Sequence, residues 1–177
     1  SNQIRTNKTI VKTELDAYSQ NWYSTYLYYL REPVLYNYYL GHNIYRFTWI
    51  RSFNLPVVIS LNMNKDSVWL ITKMLDRMLS LSEGKNGFAF FKVNEIKKLS
   101  LKEWNKFEQL LSESDYWNMS PIKKVGVEVI EVDGSQWIIE GHLSDRYWFV
   151  DRWSPEGKYK ACGEYLIKLS GLNEEIY

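Results

Sequence analysis

Strict alternation of apolar and polar residues in the middle of the chain constrains the fold more than any other feature. In residues 57–63 (VVISLNM), every odd-numbered position is apolar, and positions 60 and 62 are polar. This pattern is typical of a strand with one buried face. The turn-forming sequence at 64–66 (NKD) follows, and residues 68–75 form another strand-like stretch. Together these features predict an antiparallel hairpin.

The rest of the chain supplies further strands, helix signals and turns. Glycine, proline and aspartate punctuate the apolar stretches and set their boundaries. Further strands are predicted at residues 44–51, 88–98, 125–131, 136–140 and 147–153. The last two form a second hairpin around a predicted loop at 141–146.

Helices are predicted between the groups of strands. Ser100 and Glu103 form a capping box, in which each side chain satisfies a backbone donor of the other. Ser154 and Pro155 predict the start of the last helix, and Gly171 predicts its end. The predicted helices cover residues 13–30, 33–40, 101–114 and 154–170. Hairpins that alternate with helices predict an α+β fold, in which N-terminal, middle and C-terminal helices pack on a mainly antiparallel sheet.

Composition limits the class of protein. The chain has 177 residues, of which 45% are hydrophobic and 24% are charged. This is the balance of one globular domain. We expect residues 1–12 to be a polar tail and residues 13–177 to be a single domain. The one cysteine excludes an internal disulfide, and no apolar run reaches the ~18 residues of a transmembrane helix.

The net charge of +1 argues against a nucleic-acid partner, because nucleic-acid-binding domains usually carry a strongly basic face. The polar N-terminus begins at Ser1 without a methionine, so either processing of a precursor or an artificial start explains it. From the first explanation we expect export to the periplasm or cell envelope, with a possible membrane tether through a removed segment. A cytoplasmic location is the alternative.

Aromatic residues make up 16% of the chain, with 8 Trp, 14 Tyr and 7 Phe. Tyr and Trp tend to lie where one end of the side chain is buried and the other is solvated. Exposed Tyr and Trp are frequent anchors of protein interfaces. They also form stacking surfaces for sugars. Both uses agree with the sequence.

Four segments resemble a family of bacterial proteins to which no activity is assigned. They are residues 45–53 (YRFTWIRSF), 134–141 (GSQWIIEG), 147–155 (YWFVDRWSP) and 165–172 (YLIKLSGL). The resemblance covers about two thirds of the chain, and it implies no catalytic residue. Members of that family often have histidine where this chain has Trp148, so any chemistry of that histidine is absent here.

The residues that serve in nucleophilic catalysis are scarce. A site of this kind needs a nucleophile, a base and a group that orients the base. Cys162 shares a helix face with apolar residues and is expected in the core, and His142 is expected in a solvated loop. A triad of Cys162, His142 and Asp151 is formally possible. We predict no catalytic residue and no cofactor.

Metal sites are also unsupported by residue spacing. Two histidines and one cysteine do not give the spacing of a zinc site. Glu128, Glu131 and Asp133 could supply oxygen ligands for calcium, but they lack a calcium-loop pattern. A solvated strand edge is the simpler interpretation of these acids.

Glu140 and Asp151 are the best remaining enzymatic candidates. They lie on adjacent strands of the second predicted hairpin, and paired carboxylates serve as acid and base in glycosidases. Arg146 and Arg152 are close in sequence, so an ion pair is the simpler interpretation. Asp151 could also cap the last helix or bind Arg46.

Two functional classes remain. The first is a non-enzymatic protein that recognises another protein, such as an immunity-type inhibitor of a bacterial toxin. The second is a carbohydrate or small-molecule site, binding or hydrolytic, in an aromatic pocket with Glu140 and Asp151. The oligomeric state stays open. The candidate binding residues for either class are Tyr147, Trp148, Asp151, Arg152, Trp153, Glu140, Arg46 and Trp49.

Overall fold

The computed structural model describes residues 17–36, 38–123 and 133–176. It contains six strands and three helices, together with two short 3-10 turns. The helices are α1 (Ala17–Tyr29), α2 (Leu101–Glu113) and α3 (Gly157–Ser170). The strands are β1 (Asn43–Arg51), β2 (Val57–Asn64), β3 (Ser67–Leu75), β4 (Phe91–Leu99), β5 (Ser135–Leu143) and β6 (Arg146–Trp153). The predicted α+β class is confirmed.

All six strands form one antiparallel sheet in the order β4-β3-β2-β1-β5-β6. Both predicted hairpins are present, as β2–β3 and β5–β6. The connection from β4 through α2 to β5 carries the chain from one edge of the sheet to the other side of β1. Strand β1 therefore lies between the two halves, with Arg46 opposite Ser60 on β2 and opposite Glu140 on β5.

One side of the sheet, the helical face, packs against α2 and α3. The capping box at Ser100 and Glu103 is formed as predicted and begins α2. Apolar residues at three- and four-residue spacing on each helix meet the side chains from alternate positions of the strands. The main buried residues of this layer are Phe47, Trp49, Ile59, Trp104, Phe107, Leu111, Trp137, Ile139, Cys162 and Leu166.

The opposite side, the N-terminal face, is covered by α1 and by the segment that follows it. Tyr26 and Tyr29 of α1 pack with Ile50 and Val58 in one apolar cluster. Leu35, from the segment after α1, packs in a second cluster with residues of β1, β5 and β6. Polar and charged side chains lie between the two clusters. Both faces of the sheet are therefore covered, unlike a sheet with one solvated face.

The prediction of a helix at 33–40 was wrong. None of the described residues in this range is helical. The carbonyl of Pro33 accepts a hydrogen bond from Arg46 Nη1 at 2.7 Å, and the carbonyl of Leu35 is bound by His142. Side chains of the sheet thus take the backbone acceptors that a helix would use.

Other boundaries also differ from the prediction, and β4 begins at Phe91 rather than at Phe88. Strand β5 continues to Leu143, so the hairpin turn contains only residues 144–145 rather than 141–146. The last helix begins at Gly157, and Ser154 does not cap it, because the Ser154 hydroxyl accepts a hydrogen bond from the Ser135 amide. Three predicted features lie outside the described residues: the tail at 1–12, the first turn at 13–16 and the whole strand at 125–131. Among the residues described, no helix has the length and apolarity needed to cross a membrane.

Candidate functional site

Three of the eight candidate residues meet in a buried polar network on the N-terminal face. Arg46 donates to Glu140 through Nε at 2.8 Å and through Nη2 at 2.6 Å. Arg46 uses Oε2 of Glu140 for both bonds, and the Tyr23 hydroxyl donates to the same oxygen at 2.6 Å. The Tyr147 hydroxyl donates to the other oxygen, Oε1, at 2.9 Å. The sequence did not indicate Tyr23 as a member.

The network extends to a second ion pair. Glu32 accepts from Arg46 at 3.3 Å and from Lys73 at 2.6 Å. The four charged residues Lys73, Glu32, Arg46 and Glu140 therefore balance to zero. Because buried charges must be paired and hydrogen-bonded, this arrangement fixes the segment after α1 onto the sheet.

The tyrosines of the network stay protonated. Burial, and next the negative charge of Glu140, raise the pKa of both Tyr23 and Tyr147 well above the usual value. Both oxygens of Glu140 already accept hydrogen bonds from protein donors. The network is closed, and its geometry favours a structural role over general acid–base chemistry.

Trp49 and Trp148 lie on the other side of the sheet from this network. The Trp49 side chain is fully buried in the helical face. Trp148 packs in the same cluster, and its indole N–H donates to the Met119 carbonyl at 3.1 Å. Strand alternation therefore divides the candidate residues between two separate layers, and these two tryptophans contribute to the core.

Asp151 lies near the end of β6. Its carboxylate accepts from Gln136 Nε2 at 2.7 and 2.6 Å. Burial raises the pKa of Asp151 to about 6, although Gln136 and then Arg152 act in the opposite direction. Asp151 neither caps α3 nor binds Arg46, since Glu156 is the N-cap and Glu140 is the partner of Arg46.

Arg152 and Trp153 complete this corner of the sheet. Arg152 projects to the other side of β6 and donates to the carbonyls of Ser120 at 2.8 Å and Pro121 at 3.2 Å. Trp153 is partly buried opposite Gln136. These contacts hold the 119–122 segment along β6, so they are accounted for by the fold.

Glu140 and Asp151 do not face each other across the β5–β6 hairpin. Glu140 is opposite Phe149 in the β5–β6 register, and Asp151 is opposite Ile138. Arg46 binds Glu140, whereas the expected neighbours of that pair were Arg146 and Arg152. The geometry thus gives no support to a paired acid and base at this position.

The elements of the formal cysteine triad are separated by the sheet. Cys162 is buried in the helical face, as expected, whereas His142 and Asp151 project from the other face. The solvated position predicted for His142 was wrong, since only 4% of the residue is exposed. Its Nδ1 lies 2.5 Å from the Leu35 carbonyl, to which it donates. Burial lowers the pKa of His142.

Metal-binding geometry is not found in the described part of the chain, where no three His, Cys, Asp or Glu side chains cluster suitably. Of the acids considered for calcium, Glu128 and Glu131 lie outside the described residues. Asp133 is exposed.

The accessible features lie elsewhere, and the first is the edge of the sheet at β4. Among the described residues, no strand pairs with the outer side of β4. Residues 94–98 are all exposed, and Ile96 is 74% exposed. The opposite edge, at β6, is covered by a bridge between Ile122 and Asp151 and by the hydrogen bond from the Asp151 amide to the Pro121 carbonyl.

An exposed aromatic pair directly precedes β4. Phe88 and Phe90 are 62% and 63% exposed, and their rings meet edge to face at 4.7 Å. Their backbone is held in place, because Phe90 exchanges hydrogen bonds with Asp76 and the Phe88 carbonyl accepts from Arg77 at 2.7 and 2.9 Å. We call Phe88, Phe90 and residues 94–98 the edge surface.

The second accessible feature is a cavity of about 330 Å³ between the end of α2 and the β5–β6 hairpin. Its polar lining includes Glu108, Asp115 and Arg146, and its aromatic lining includes Tyr45 and Trp117. Sequence reasoning missed both features. The lysines and weak alternation of 91–99 could have indicated an edge strand, but no local pattern reveals the cavity.

Comparison of the chain with protein-family models and with curated proteins finds no match. The resemblance to a bacterial family therefore stays a prediction.

Proposed function

We propose that this protein is a non-enzymatic binding protein that recognises another protein through the edge surface. The observation that carries the proposal is the contrast between the two edges of the sheet. Strand β6 is covered by the 119–122 segment, whereas the outer side of β4 has no covering strand in the described part of the chain. An exposed edge strand offers unpaired backbone donors and acceptors to a strand from another chain.

The side chains of the edge surface suit recognition. Phe88 and Phe90 supply a large apolar area at one end, and aromatic anchors of this kind often dominate binding energies. Because hydrogen bonds to Asp76 and Arg77 fix their backbone, little conformational entropy would be lost on binding. The pairing of β3 with β4 changes register between Met74 and Leu75, so the regular part of β4 is Val93–Leu99.

Charge favours an acidic partner segment over a second copy. Strand β4 carries three lysines, at 92, 97 and 98, and one acid, Glu95. Self-pairing would bring two positively charged strands together, which costs free energy. An extended partner segment rich in Asp or Glu would instead complement the lysines.

The concrete form of this proposal is an immunity-type protein, exported to the periplasm or cell envelope, that neutralises a bacterial toxin. An inhibitor that acts by covering a partner needs a rigid surface and no catalytic group of its own. Fractionation of the native cells tests the location. Co-expression of the identified partner with and without this protein tests neutralisation.

The binding proposal is tested by affinity capture with matched variants. The tagged chain is compared with Phe88→Ala/Phe90→Ala and with Lys97→Glu/Lys98→Glu. The control is Phe53→Ala, which removes an equally exposed ring, 66% accessible, from another loop. We expect one stoichiometric partner that the native chain and the control retain and both edge variants lose.

Hydrogen exchange then separates strand addition from side-chain contact. In the complex, the amides of residues 91–99 should exchange more slowly than in the free protein, because the outward N–H groups gain partners. A partner that the edge variants retain, or a complex without slower exchange in β4, would overturn the assignment to this edge. The lack of any partner would contradict the proposal itself.

A further inference from the structure

The cavity beside α2 has a lining that suits a ligand rather than simple packing. It is formed by the last turns of α2, by the 3-10 turn at Tyr116–Asn118, and by Tyr45 and Arg146 from the sheet. Its volume, about 330 Å³, lies at the lower end of the range of small-molecule sites. A cavity of this size can hold a small organic molecule.

The carboxylates of the cavity keep unused acceptor capacity. Glu108 accepts one hydrogen bond through Oε1, from the Tyr45 hydroxyl at 3.0 Å. Asp115 accepts one through Oδ1, from Asn118 Nδ2 at 2.7 Å. Within the described residues, the second oxygen of each carboxylate has no hydrogen-bond partner. Two anionic acceptors thus remain available to a bound donor.

The local charge is negative and is not compensated by the helix. The carboxyl end of a helix carries a partial negative charge that favours cations, yet the last turn of α2 has no basic residue. Among the described residues, the one cation in the cavity lining is Arg146, whose Nε lies 3.5 Å from Asp145 outside the lining. Glu108 and Asp115 therefore leave the site with an excess of negative charge.

The aromatic wall offers an apolar surface, and one of its rings is already occupied by a cation of the protein. The guanidinium of Arg146 lies over the ring of Trp117 at 4.5 Å, so this ring already takes part in one cation–π contact. Leu111 supplies an apolar patch beside it. This mixture suits an alkyl chain that ends in a charged nitrogen.

We propose that this cavity binds a primary alkylammonium group through Glu108 and Asp115. The group can belong to a free amine or to a lysine side chain of another protein. This inference does not depend on the edge surface, because the cavity is lined by Tyr45 of β1 and Arg146 of β6, whereas β4 lies at the edge of the sheet opposite β6.

The test is isothermal titration calorimetry at low ionic strength with three probes of equal chain length. Putrescine carries two ammonium groups, 1,4-butanediol is neutral, and succinate carries two carboxylates. We expect saturable binding of putrescine alone. Titration with Nα-acetyl-lysine amide distinguishes the sources: binding of this probe comparable to that of putrescine indicates a lysine side chain, and binding of putrescine alone indicates a free amine.

Variants connect the binding to the two carboxylates. Glu108→Gln and Asp115→Asn should each weaken putrescine binding about tenfold or more, because each removes a charge-assisted hydrogen bond. Asp115 is exposed, so its variant tests the site without disturbing the core near Tyr45. The control Glu113→Gln removes a carboxylate from the same helix end but outside the cavity lining.

Three results would overturn the proposal. Equal binding of butanediol would show that charge is not recognised, and preferred binding of succinate would assign the opposite charge preference to the cavity. An equal loss of affinity in Glu113→Gln and Asp115→Asn would show general attraction to an acidic surface rather than binding in the cavity.

Discussion

Arg46 and Glu140 form a doubly hydrogen-bonded ion pair between neighbouring strands in the centre of the sheet. Both Nε and Nη2 of Arg46 donate to the same Glu140 oxygen, at 2.8 and 2.6 Å. The exposed fractions of the two residues are 0% and 3%. Arg46 also donates to Glu32 and to the Pro33 carbonyl. The pair therefore connects the central strands to the chain that covers them.

Replacing Glu140 by alanine should destabilise the protein by about 3–5 kcal/mol, because Arg46 would stay buried without its main partner. Urea denaturation followed by circular dichroism measures the change. As a control, Glu164→Ala removes one member of an exposed pair with Lys160 at 3.9 Å. It should cost about 0.5 kcal/mol or less.

The double variant Arg46→Met/Glu140→Leu separates the cost of an unpaired charge from the value of the pair. It should be more stable than Glu140→Ala, since no isolated charge stays buried. A double variant as unstable as Glu140→Ala would contradict this explanation. It would indicate that the hydrogen bonds of Arg46 to the covering segment matter more than its charge.

Asp151→Asn should change how stability depends on pH. Burial raises the pKa of Asp151 to about 6 from its usual 3.8, so the folded protein binds a proton that the unfolded chain releases between these values. The native chain consequently loses stability as pH rises from about 4 to about 6. The asparagine variant lacks this loss and should gain about 1–2 kcal/mol relative to the native chain by pH 7.

Denaturation of both proteins at a series of pH values from 4 to 8 measures this difference. The expected gain in stability is smaller than the free energy that corresponds to the full pKa shift, because Asp151 is only partly buried. A constant difference across the series would show that Asp151 ionises normally. A relative loss for the variant with rising pH would reverse the sign of the argument.

The strands and the helix ends are predicted well from the sequence, because each signal for them depends only on neighbouring residues. Alternation at 57–63 sets the strand and its faces, and the capping box at Ser100 and Glu103 sets the start of α2. Gly171 ends α3 with φ of 76°, a left-handed conformation that glycine adopts readily. None of these requires knowledge of distant residues.

The candidate site could not be predicted in the same way. Alternation places Trp49 and Arg46 on opposite faces of β1, but it cannot reveal that both faces are covered. His142 is buried because Leu35, 107 residues away in sequence, supplies its hydrogen-bond acceptor. Burial at these positions depends on long-range packing, which has no local signature.

Cys162 should not react with thiol reagents in the folded protein. It is fully buried between α3 and the sheet, and burial raises the pKa of its thiol to about 11. At pH 8 the thiol is therefore protonated as well as inaccessible, and the thiolate is the reactive form. Reaction with Ellman's reagent should be negligible in buffer and should reach one thiol per chain in denaturant. Rapid reaction without denaturant would show that this part of the core opens readily.

Gly163→Ala should destabilise the protein even though alanine favours helices by about 1 kcal/mol over glycine. A Cβ at this position would overlap Cζ3 and Cε3 of Trp137. That ring cannot move freely, because it is fully buried and its N–H donates to Ser135 Oγ at 2.7 Å. Overpacking of this kind costs about 1–3 kcal/mol.

A double-mutant cycle with Trp137→Phe tests the cause. The smaller ring leaves space for the added methyl group, so Gly163→Ala should cost less, or should stabilise, in the Trp137→Phe background. Thermal and urea denaturation of the four proteins measure the coupling. An equal cost in both backgrounds would show that the Trp137 ring does not limit the approach of α3 to the sheet.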